Sequence, residues 1–78
     1  MTEAIETREA VYFFIEKVVH DGSLKRHTDQ VHVTKLVRKG QKGYDQSTTV
    51  SKQFAQQWAD ALHNTAVLEA TGLEQLIA

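Results

Sequence analysis

From Glu3 to His20 the apolar residues Ile5, Val11, Tyr12, Phe14, Ile15, Val18 and Val19 fall within one half of a helical wheel drawn at about 100° per residue. Glu3, Glu6, Glu9, Glu16, Lys17 and His20 occupy the other half. Acids lead and bases trail, the order that complements a helix dipole, and Gly22 stands where a left-handed residue ends a helix. The stretch VYFFI has strand propensity of its own, and HDGS could turn a hairpin. The following SLKRHTD lacks the alternation of a partner strand, so the spacing predicts a first helix over this segment. Phe13 departs from the pattern, projecting from the polar half among Glu9, Glu16 and Lys17. A phenylalanine placed so is either tucked against a neighbouring loop or an aromatic anchor for a partner.

In the middle of the chain the period changes. Val31, Val33 and Val37 share one parity while His32, Thr34 and Arg38 share the other, which predicts a strand with one buried face. Lys35 and Leu36 interrupt the alternation, which predicts either a bulge or partial cover on both faces of the strand. After GQKG, Tyr44, Thr48 and Val50 alternate with Asp45, Ser47 and Thr49, a second and more polar strand. The two read as an antiparallel hairpin. Ser51 can cap a helix whose stripe is Val50, Phe54, Ala55, Trp58, Ala59, Ala61 and Leu62, with a glutamine-rich outer face of Gln53, Gln56 and Gln57. The stripe loses phase after Asn64, where Val67 falls on the polar side and Glu69 on the apolar side. This predicts a break at Asn64 and Thr65, then a shorter helix over 66–78. The expected fold is a single α+β domain over 1–78, ordered α-β-β-α-α, with the hairpin packed against amphipathic helices.

Seventy-eight residues, with 41% hydrophobic and 24% charged, suit a small folded domain with a thin stability margin, for which a homodimer would bury more apolar surface. Cysteine is absent, which removes disulfides, thiolate metal sites and a cysteine nucleophile. No apolar run approaches the roughly 20 residues of a membrane span, and the acidic beginning has no signal-peptide pattern, so a cytoplasmic protein is expected.

The net charge of −1 conceals a strong segregation. Residues 1–24 carry five acids and two bases, residues 53–78 three acids and no base, and residues 25–52 seven bases against two acids. Lys25, Arg26, Lys35, Arg38, Lys39 and Lys42 make the hairpin a candidate contact for nucleic acid or for an acidic surface. The RKGQKG loop is not a phosphate cradle, since it lacks the G-x-x-x-x-G-K-[ST] pattern and leads into a strand. His20, His27, His32 and His63 match no metal-ligand spacing, and Ser23, Ser47 and Ser51 lie in no nucleophile-elbow context. No cofactor, metal, membrane or small-molecule substrate is therefore expected. The sequence points to a non-enzymatic regulatory protein of inhibitor or adaptor type. It would act as a homodimer that binds a partner macromolecule, with Phe13, Leu73, Leu76 and Ile77 as contacts. The alternative is a nucleic-acid-binding regulator that uses the basic hairpin, residues 25–52.

Overall fold

The computed structural model describes residues 2–22 and 24–72. Four strands, β1 (Thr2–Glu6), β2 (Ala10–Asp21), β3 (Leu24–Val37) and β4 (Gln46–Ser51), precede one helix, α1 (Lys52–Thr71). The strands form an antiparallel meander in the order β1-β2-β3-β4, and α1 lies across one face. The expected order α-β-β-α-α is therefore wrong at both ends of the chain.

At the amino-terminal end the predicted helix is instead a pair of strands. Ala4 pairs with Phe13 and Ile5 with Tyr12, and β2 continues into a hairpin with β3 that closes at Asp21 opposite Leu24. The turn read as unpromising is real, and Gly22 adopts φ 64° there because a hairpin loop this short needs positive φ. The wheel misled because VYFFI is apolar at both odd and even positions, so its residues fill half a wheel without being helical. Aromatic and β-branched side chains then favour the pleated surface, where each packs against a cross-strand neighbour.

The middle hairpin follows its alternation. Val31 pairs with Val50 and Val33 with Thr48, and Val31 and Val33 are fully buried under α1. The irregularity lies elsewhere than at Lys35, between Glu16 and Val18. Glu16 pairs with Val31 but Val18 pairs with His27, so β3 carries two extra residues opposite Lys17. Thr28 Oγ1 donates to the Lys17 carbonyl at 2.8 Å and closes the bulge. Beyond it, β2 and β3 continue as a bare two-stranded ribbon of four residue pairs, about 13 Å at about 3.3 Å per residue. This ribbon lengthens the molecule, whose long axis is 54 Å against 22 and 15 Å in the other directions.

Ser51 caps α1 as expected, its hydroxyl accepting from Phe54 N at 3.1 Å. No break follows at Asn64; the helix is continuous to Thr71 and ends on Gly72, whose φ is 75° and whose N–H donates to the Leu68 carbonyl. The phase is lost because of what the helix meets. Near its end Glu69 turns inward to accept the Arg8 N–H at 2.8 Å, while Val67 faces solvent. The core is small: Ile5, Phe14, Val31, Val33, Ala55 and Ala59, with Tyr12, Val50, Trp58 and Leu62 packed around them. Trp58 meets Phe14 edge to face at 5.7 Å and Tyr12 at 6.0 Å, a favourable aromatic geometry. Among the described residues no helix is long and apolar enough to cross a membrane.

Candidate functional site

Because α1 covers one face only, strand pleating divides the sheet residues into two sets. Even positions of β2 and odd positions of β1 and β3 meet the helix. The complementary set points away from it: Val11, Phe13 and Ile15 from β2, Ala4 from β1, and His32, Thr34 and Leu36 from β3. This open face carries an apolar stripe. Ile15 is 51% exposed and Leu36 42%, and Phe13 and Val11 are half-buried by their neighbours. Val19, at 45%, prolongs the stripe onto the ribbon. His32 Nδ1 lies 3.3 Å from Thr49 Oγ1 at its polar margin.

Phe13 thus stands at the centre of the open face, between Ala4 and Thr34. The other three expected contacts, Leu73, Leu76 and Ile77, lie outside the described residues. Val11, Ile15 and Leu36 join Phe13 on this face, although helical spacing in the sequence assigns the first two to a buried stripe. The available signal was the same run VYFFI. A strand with one wet face alternates, whereas a strand covered on both faces reads as continuously apolar.

The six cations are not brought together. Lys25 and Arg26 lie at the tip of the ribbon, opposite His20 and Val19. Arg38, Lys39 and Lys42 lie in the loop at the other end of β3, about 40 Å away along the strand. Within that loop Asp45 Oδ1 accepts the Val37 N–H at 2.8 Å, and Gly40 adopts φ 87°. Arg38 donates from Nε to the Thr7 carbonyl at 3.0 Å and approaches Glu6 at 4.0 Å, which ties the loop to the β1–β2 turn. Lys35 is half-buried on β3, across from Tyr12.

A second feature lies at the start of α1. Phe54, 53% exposed, stacks edge to face on Trp58 at 6.0 Å, and with Gln57 they line a shallow open depression of about 300 Å3. Ser51 and Gln53 border an adjoining one. The glutamine-rich face is thus partly the rim of an aromatic ledge. Nearby, hydrogen bonds from the chain's amino terminus and from Lys52 hold the Glu16 carboxylate at about 2, below its ordinary 4.5. The Lys52 Nζ to Glu16 Oε1 distance is 3.1 Å, and the Glu16 side chain is only 12% exposed. Among the described residues no group of three or more histidines and acids is placed to hold a metal ion.

The class defined by this architecture is a four-stranded antiparallel meander backed by one carboxyl-terminal helix, with an apolar open face. Comparison of the chain with protein-family models, with curated proteins and with solved structures finds no match.

Proposed function

We propose that the chain is a small non-enzymatic interaction protein that works by occupying the surface of a partner macromolecule, with the open face of the sheet as its contact surface. One observation carries this reading. The central strand is apolar on both parities, while the helix covers only one of them. Exposed apolar residues scattered singly are ordinary, but a contiguous stripe on a flat sheet marks an association surface. Phe13, rigid and central, has the character of an aromatic anchor.

The test is site-directed photocrosslinking in cells, with benzoylphenylalanine in place of Phe13 and, separately, of Gln56 on the outer side of α1. Adducts formed from position 13 and not from position 56 are the expected result. Adducts from position 56 alone would overturn the assignment of the face.

A further inference from the structure

The occupant of the open face can be named from the pattern of charge along β2. Along β2 and the residue before it the odd positions read Glu9, Val11, Phe13, Ile15, Lys17, of which Val11, Phe13 and Ile15 are paired on the open face and Lys17 lies within the bulge. Glu9 extends the ladder by one row, since its carbonyl accepts the Arg38 N–H at 3.0 Å. The series is antisymmetric about Phe13: an acid at one end, a base at the other, and a branched apolar residue on each side of the ring. Neither Glu9 nor Lys17 forms an ion pair among the described residues.

We infer that the face is covered by a second copy of this chain, seated antiparallel so that β2 crosses over β2 of its partner at Phe13. The inference rests on the reading of the open face as a contact surface. A two-fold axis in the plane of the interface, perpendicular to β2 and level with Phe13, brings Val11 onto the partner's Ile15 and Glu9 onto the partner's Lys17. Each contact occurs twice, as an isologous interface requires. The central row suits the arrangement. Phe13 is flanked by Ala4 on β1 and Thr34 on β3, with Ser47 beyond, so small side chains leave room for two phenylalanine rings between sheets about 10 Å apart. The other in-plane axis, running along β2, would set each residue of β2 on its own copy, Glu9 on Glu9 and Lys17 on Lys17, with Ala4 on the partner's Thr34. Charge complementarity therefore selects the antiparallel seat. The product is a four-layer helix–sheet–sheet–helix body in which the run VYFFI is covered on both faces, as its composition demands.

Sedimentation equilibrium of the purified full chain, at about 1–100 µM, should give twice the chain mass of 8.8 kDa. Glu9→Lys and Lys17→Glu each replace two opposite-charge contacts by two like-charge ones, so each should weaken association by about tenfold or more. The double variant restores opposite charges and should return to within about threefold of the parent, with the differences shrinking in high salt. Both positions are exposed, and far-UV circular dichroism should be unchanged in all three variants. Phe13→Ser supplies an independent variant, expected to sediment as one chain while still folded. A mass of one chain at the highest concentration overturns the inference, as does a dimer whose double variant is no tighter than the single ones. If the purified chain is monomeric while benzoylphenylalanine at position 13 captures a different protein in cells, the second copy is refuted and the contact face stands. If position 13 captures nothing, both readings fall.

Discussion

Replacing Phe14 with alanine tests the core against the strand register that defines it. Phe14 is fully buried, pairs with Glu3 and Val33, and presents its ring to the indole of Trp58 at 5.7 Å. Truncation removes the buried ring, opens a cavity beneath α1 and abolishes an edge-to-face contact, which together cost about 3–5 kcal/mol. A chain of 78 residues has about 4–12 kcal/mol in total. The variant should therefore lose at least about 2 M from its urea midpoint, or show no cooperative transition. Trp58, the single tryptophan, reports unfolding by fluorescence, with far-UV circular dichroism as a second probe. Because Phe13 points the other way, its alanine variant studied at low concentration should lose no more than about 1 kcal/mol. Equal losses from the two neighbours would refute the division of β2 into a helix-facing and an open side.

Other outcomes follow from single contacts. Ser51→Ala removes the α1 cap and should cost about 1 kcal/mol in chemical denaturation; no change would mean that another group satisfies Phe54 N. Glu16 titrates lower in the folded chain than unfolded. Its contribution is thus complete above the ordinary value of 4.5 and lost as pH falls toward about 2. Lys52→Gln should raise the Glu16 pKa in a carboxyl-carbon NMR titration, and an unmoved titration would rule out the pair. For duplex DNA, six cations on one patch predict a slope of log K against log salt near −5, whereas the two at the ribbon tip predict about −2. Fluorescence anisotropy giving the steeper value would contradict the separation of Lys25 and Arg26 from Lys39 and Lys42.

The parts legible in the sequence were those with a single clean period. Val31 and Val33 against His32 and Thr34 marked β3, and Ser51 before the Ala55–Trp58–Ala59–Leu62 stripe marked the start of α1. The amino-terminal third was misread because its apolar residues obey two periods at once. Phe13, the residue that did not fit the helical wheel, was the sign that the period was two. The helix break at Asn64 failed for a different reason: Glu69 sits on the inner side to bind a backbone N–H sixty-one residues away, a demand of tertiary structure that no local pattern encodes. The cations clustered in sequence but not in space, since a fourteen-residue strand holds Lys25 and Arg38 at opposite ends.

The meander also sets the order in which this chain can assemble. Every strand lies beside its neighbour in sequence, so each hairpin closes over a short loop, an event that takes microseconds in isolation and needs no distant partner. The β2–β3 ribbon, the longest pairing, is the natural template on which β1 and β4 zip from either side. Only α1 must reach across the chain, and its tether to the β1–β2 turn through Glu69 and Arg8 closes a loop of sixty-one residues, the largest among the described contacts. Closing so long a loop costs more chain entropy than any hairpin, so amide exchange should run faster at the end of α1 than along the centre of β2.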